Sequence, residues 1–185
     1  MTTEKMKQKT TNNSPNLKFY KLNEQAKLPT FATEQSACFD LYANLVMDDS
    51  VQYFSSASTK QLPRKIGLNN GAPYIRLQCL ERMLIPVGLI ADIPKGYSIR
   101  LHPRSGLSFK KGIHLANCEG VIDSDYVEPI FVMVTSMSDV PTNIFDGERI
   151  CQGELVKSVE YKIDTLTEPP SQKTDRDGGF GSTGT

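Results

Sequence analysis

The chain has no tryptophan, only two histidines and no net charge, its 21 basic side chains balancing 21 acidic ones over 185 residues. A neutral balance excludes the broad basic field that holds nucleic acid or an anionic membrane, so neither partner is expected. Any anion must be gripped locally, by a few placed groups. The four cysteines, Cys38, Cys79, Cys118 and Cys151, are scattered, with no Cys-x-x-Cys and no histidine at ligand spacing. That scatter predicts neither a zinc site nor a disulfide framework. It reads instead as reduced thiols, packed as small side chains, in a soluble cytoplasmic or otherwise intracellular protein. His102 and His114 stand at the edges of strand-like runs and read as packed or solvated rather than catalytic. No apolar run is long enough to span a membrane. Residues 1–16, rich in Lys, Thr and Asn, lack the apolar core of a signal peptide and read as a disordered arm.

What is present is a series of short apolar runs: Leu17–Leu22, Met83–Ile93, Tyr97–Leu101, Pro129–Thr135 and Arg149–Ile163. Turn-forming residues separate them, including Asn69-Asn70-Gly71, Pro94-Lys95-Gly96 and Asp146-Gly147. No window of helical length carries a 3.6-residue apolar stripe. The pattern predicts an all-β barrel or sandwich over residues 17–163. Residues 46–78 are broken by polar clusters and read as a surface excursion, a hairpin without catalytic duty or a contact for a protein partner. Residues 164–185 begin with a polar, Pro169-Pro170-containing linker and end in a glycine-rich arm.

Four constellations carry chemistry. Arg176-Asp-Gly-Gly-Phe-Gly-Ser-Thr-Gly-Thr185 combines backbone N–H groups free to converge on an anion with the Ser182, Thr183 and Thr185 hydroxyls, the Arg176 fork and the flat Phe180 ring. Such a set suits a ligand with both phosphates and a planar ring. Pro103-Arg104-Ser105-Gly106-Leu107-Ser108 follows a strand and offers a guanidinium, a hydroxyl and an exposed N–H within one short turn. In Asn117–Tyr126, Asn117 and Gly120 flank an expected hairpin turn. Asp123 and Asp125 alternate with Ser124, which on an extended strand places both carboxylates on one side. One of such a pair can take a proton from an ordered water. Gly147–Gln152 opens the last strand and supplies Arg149 and Gln152 at the core's edge.

Taken in order, Phe39–Ala43, Pro103–Ser108, Gly120–Tyr126, Gly147–Gln152 and Gly178–Gly184 resemble the five sequence blocks of the homotrimeric dUTPase family. The resemblance runs from about Leu17 to Gly184, apart from an apparent insertion at 46–78. It implies a jelly-roll-type β-barrel, a homotrimer with shared active sites, and hydrolysis of dUTP to dUMP and pyrophosphate with Mg²⁺. By the same resemblance Asp123 is the general base, Tyr126 packs on the deoxyribose, and Asn117, Gly120, Val121 and Ile122 read uracil through their backbone. Arg104, Ser105, Gly106 and Gln152 contact phosphates. Asp40 reaches Mg²⁺ through water, the ion itself sitting mainly on the triphosphate. Phe180 covers the base, and Gly181, Ser182 and Thr183 wrap the β- and γ-phosphates beside Arg176.

The chain departs from the family pattern in three places. Cys38 stands at a position that is more often glycine, Val127-Glu128-Pro129 follows Tyr126, and Arg176-Asp177-Gly178-Gly179 is one residue short. Two alternatives stay open at this point: a dCTP deaminase-like enzyme of similar fold, and a regulatory or protein-binding module.

Overall fold

The computed structural model describes residues 14–175; residues 1–13, most of the expected N-terminal arm, and the glycine-rich block at 176–185 lie outside them. In chain order the strands are β1 (Lys18–Lys21), β2 (Thr30–Phe31), β3 (Phe39–Tyr42), β4 (Ser50–Phe54), β5 (Leu62–Lys65), β6 (Gly67–Asn69), β7 (Ala72–Leu77) and β8 (Arg82–Pro86). They continue with β9 (Leu89–Asp92), β10 (Tyr97–His102), β11 (Ile113–Leu115), β12 (Gly120–Ile122), β13 (Phe131–Ser136), β14 (Thr142–Phe145) and β15 (Arg149–Lys157). One helix, α1 (Ser105–Lys111), lies between β10 and β11.

Two five-stranded sheets dominate, ordered β12-β10-β15-β3-β2 and β11-β13-β8-β4-β5; β14-β7-β6 and β1-β9 complete the barrel. The strand pairs are antiparallel, as in β10–β15, where Tyr97 faces Lys157 and His102 faces Gln152. Period-two burial marks the inner faces: in β13, Val132, Val134 and Ser136 are buried, while Phe131 and Met133 are exposed. Leu41, Ile99 and Leu101 from one sheet meet Met83, Ile85 and Val132 from the other in a single core. Each fully buried aliphatic side chain contributes roughly 1.5–3 kcal/mol. The all-β expectation therefore holds.

Four local expectations are corrected. The run Met83–Ile93 is two strands, broken at Gly88, whose φ of 70° no bulky residue adopts cheaply. A Cβ there would lie 2.3 Å from Asn44 Oδ1, so the chain can cross here only as glycine. The final strand stops at Lys157 rather than continuing to Ile163. The Arg104–Ser108 turn is the start of α1, which escaped detection because Leu107 is its only buried residue and no stripe exists to be read.

The fourth correction concerns residues 46–78: residues 55–65 do lie at the surface, none of them buried, but the flanking strands are built into the sheets. β4 pairs with both β5 and β8, and β7 pairs with β14. Val51, Ile66, Ile75 and Leu77 lie in the core. The expected hairpin character is real: β6 and β7 join through Asn70 and Gly71 at φ 49° and 79°, the left-handed pair that a tight two-residue turn demands.

Candidate active site

Two groups of predicted residues form, one beyond the C-terminal end of β10 and one along β12 beside it. The first is built on Asp40 in β3, which is 2% exposed. Its Oδ1 accepts from Arg104 Nε and its Oδ2 from Arg149 Nη1, each at 3.0 Å. Arg104 Nη1 also donates to the Arg149 carbonyl at 3.3 Å. A carboxylate taken from water needs such compensation, and here two cations supply it. Gln152 sits opposite Asp40 across the β15–β3 pair. One residue on, Gly153 allows close approach, since a Cβ would stand 2.3 Å from the Phe39 ring.

Arg104 itself is extended, with φ −90° and ψ 124°, and the helix begins immediately after it. Ser105 and Gly106 are exposed in the first turn, where backbone N–H groups have no intrahelical acceptor. Lys111, at the helix end, pairs with Glu148, whose other oxygen accepts from Phe145 N at 3.1 Å. Adjacent in sequence, Glu148 and Arg149 thus enter two separate long-range pairs. Neither Arg149 nor Lys111 carried a sequence signal for these partners.

The second group surrounds a cavity of about 540 Å³ lined by Asn117, Gly120, Val121, Ile122, Asp123, Asp125 and Tyr126 over an apolar floor that includes Leu84, Leu115 and Val132. β12 is an edge strand, paired only with β10, so half its backbone polar groups are free of the ladder. Gly120 packs on Leu101, whose side chain lies 3.0 Å from where a Cβ would be. The turn before it is tight: Cys118 N donates to the Leu115 carbonyl at 3.1 Å, and Cys118 takes a φ of 63°.

Two readings of this segment are corrected. Asn117–Gly120 is not a hairpin turn, because β11 pairs with β13 while β12 pairs with β10; it carries the chain from one sheet to the other. Asp123 and Asp125 do not share a strand face either. β12 ends at Ile122, and Asp123–Tyr126 is a turn closed by Tyr126 N donating to the Asp123 carbonyl at 3.1 Å. The turn still brings both carboxylates to the rim of one cavity. Tyr126 Oη donates to the Pro129 carbonyl at 3.0 Å, which fixes the ring against that rim.

One chain does not bring the two groups together. Ile99 faces Ile122, so Asp123 lies toward the start of β10, whereas Arg104 follows its end. At about 3.3 Å per residue the separation along the strand is roughly 15–20 Å. Arg176, Phe180, Gly181, Ser182 and Thr183 lie outside the described residues. Both Asp40 oxygens accept from arginines, so Asp40 anchors Arg104 and Arg149.

Fold and geometry together define an all-β barrel that carries an open cavity along β12 and a separate arginine cluster. The relationship is narrower than that. The dUTPase family model matches residues 59–184, beginning inside the segment read as an insertion. A deoxyuridine 5′-triphosphate nucleotidohydrolase of Finegoldia magna is 49% identical over 114 residues, 60% of this chain and 76% of its own. One from Wolbachia pipientis subsp. Culex pipiens is 38% identical over 158 residues, covering 85% and 86%. A mutant dUTPase of Staphylococcus bacteriophage 80alpha, solved with dUpNHpp, shares the fold at a TM-score of 0.69 and 18% identity, covering 93% of this chain and all of that one. The chain belongs to the dUTPase family. Among the described residues, no helix is long and apolar enough to cross a membrane.

Proposed function

We propose that the protein hydrolyses dUTP to dUMP and pyrophosphate, keeping uracil out of DNA and supplying dUMP for thymidylate synthesis. The observation that carries this reading is the exposed Asp123 carboxylate at the rim of the Gly120–Tyr126 cavity, where the backbone edge of β12 is left open. Backbone groups there offer an acceptor to uracil N3–H and a donor to O4. Cytosine presents the opposite pattern and would leave them unpaired, a large penalty. The Tyr126 ring, tied to Pro129, packs on the deoxyribose and leaves no room for a 2′-hydroxyl. Asp123 takes the proton from a water that attacks the α-phosphorus, and pyrophosphate leaves in line. Arg104 holds the phosphates, its fork pre-set by Asp40, with the Ser105 and Gly106 N–H groups and Gln152 alongside. Mg²⁺ enters with the triphosphate and neutralises its charge.

The site is shared between copies of the chain in a homotrimer. Support comes from β10, whose length separates Asp123 from Arg104 by far more than a triphosphate spans. A second copy must bring its Arg104 group to the first copy's Asp123. The arm at 176–185, with Arg176, Phe180, Gly181, Ser182 and Thr183, closes the site from a third. Purified protein with Mg²⁺ should release pyrophosphate from dUTP and spare dCTP, dTTP and UTP. Ammonia released from dCTP, with dUTP left intact, would overturn the assignment. Sharing has its own test. Asp123→Asn and Arg104→Ala are each expected to be inactive alone, but dissociated and reassembled together at equal amounts they regain about a quarter of wild-type activity. A mixture as dead as its components would mean that each chain builds its site alone.

A further inference from the structure

We propose that Cys38, His102 and Glu154 form a three-ligand site for a Zn²⁺ ion on the sheet face that turns away from the core. Their ligand atoms, a thiol sulfur, an imidazole nitrogen and a carboxylate oxygen, all lie within 4.8 Å of one another. The scatter of cysteines along the sequence predicts no such site; strand register creates it. In β10–β15, His102 faces Gln152 and Arg100 faces Glu154, so His102 and Glu154 are diagonal neighbours on one face. In β15–β3, Gly153 faces Phe39, which brings Glu154 opposite Cys38.

The histidine is arranged as a ligand would be. His102 Nε2 is shut off from solvent and has no hydrogen-bond partner among the described residues. It stands 3.5 Å from Glu154 Oε2, while Nδ1 lies 3.7 Å from Glu119 Oε1. A carboxylate on the far nitrogen is the usual outer partner that fixes the ring of a metal-bound histidine. Tetrahedral Zn²⁺ holds N, O and S ligands about 3.3–3.8 Å apart, so the His–Glu pair is already spaced for it and Cys38 needs only a small side-chain rotation. Burial first, then the negative charges of Glu154 and Asp40, push the Cys38 thiol up from its ordinary pKa. A divalent cation adds positive charge between the Glu154 and Glu119 carboxylates and releases the thiol proton. A thiolate and an imidazole select zinc over Mg²⁺, which separates this site from the ion carried by a nucleotide.

Its placement gives the site a consequence. Cys38, His102 and Glu154 each stand two residues from a member of the anion cluster: Asp40, Arg104 and Gln152. A cation here ties β3, β10 and β15 together beneath the arginine fork. Binding is read without any nucleotide, so the test stands apart from the proposed activity. Chelator-stripped protein titrated with Co²⁺, a spectroscopic stand-in for Zn²⁺, is expected to take up one equivalent per chain with thiolate-to-metal charge-transfer absorption. Zn²⁺ displaces it and millimolar Mg²⁺ does not. Cys38→Ser abolishes the band and His102→Gln weakens Zn²⁺ binding at least about tenfold, whereas Cys79→Ser and Cys118→Ser change neither. Zn²⁺ at a hundredfold excess over Kd raises Tm by about 5–10 °C in the wild type and by less than about 2 °C in Cys38→Ser. Should Cys38→Ser fail to fold, Glu154→Gln carries the test, with Zn²⁺ binding weakened at least about tenfold. No saturable uptake by the wild type, a full band in folded Cys38→Ser, unweakened binding in folded Glu154→Gln, or displacement by Mg²⁺ overturns the proposal.

Discussion

Asp123→Asn should lower kcat for dUTP hydrolysis by about 10²–10⁴-fold and shift KM by less than about threefold. Asparagine fills the same volume but cannot accept a proton, so an attacking water stays neutral while the phosphates are still held by Arg104. Asp123 is exposed at the end of β12 and makes no ion pair among the described residues, so its loss should leave stability within about ±0.5 kcal/mol. An unchanged Tm alongside collapsed kcat then separates chemistry from folding. Asp125 is the internal comparison, because it lines the same cavity two residues on. Asp125→Asn should keep most of the rate. Steady-state pyrophosphate release on both variants decides. A reversed result, with Asp125 essential and Asp123 dispensable, would move the base two residues along the turn.

The legible part of this molecule was the part written in local sequence. Short apolar runs between turn signals marked β1, β8, β9, β10, β13 and β15, and glycine with asparagine marked turns such as Asn70-Gly71, where positive φ is required. Four of the five blocks fall on the arginine cluster and the cavity because each is a short contiguous segment; the fifth lies outside the described residues. What local sequence could not carry was partnership across the chain. Asp40 and Arg149 are 109 residues apart and meet through a carboxylate that a strand pattern alone would read as solvent-facing. The hairpin expected at Asn117–Gly120 failed for the same reason: a tight turn reads alike whether its strands pair with each other or with different sheets. The helix at Ser105–Lys111 is too short to have a periodicity.

The largest stability effect should come from Glu81→Ala, and it bears on how residues 46–78 join the barrel. That segment looks polar, which argued for surface; yet one of its charges, Arg64, is turned inward and paired. Arg64 Nη1 and Nη2 donate to the two oxygens of Glu81 at 2.6 and 2.7 Å, and the Glu81 side chain is only 6% exposed. Glu81 Oε2 also accepts from Gln78 N at 2.8 Å, and the guanidinium lies 4.0 Å from the Tyr53 ring centre. Hydrogen bonding to Glu81 holds the Arg64 pKa above its ordinary value, so the arginine stays charged. Removing Glu81 strands that charge in a mostly buried setting and leaves the Gln78 N–H unpaired, a cost of about 3–5 kcal/mol. For a chain of this length that is a fall in Tm of about 6–20 °C, measured at fixed protein concentration because assembly also sets Tm. The pair buries two charges at a desolvation cost, so replacing both partners with apolar groups, Arg64→Met with Glu81→Leu, should recover much of the loss. A fall of less than about 2 °C in Glu81→Ala would show that β4–β7 hold to the barrel through Val51, Ile66, Ile75 and Leu77 alone, with the ion pair contributing nothing.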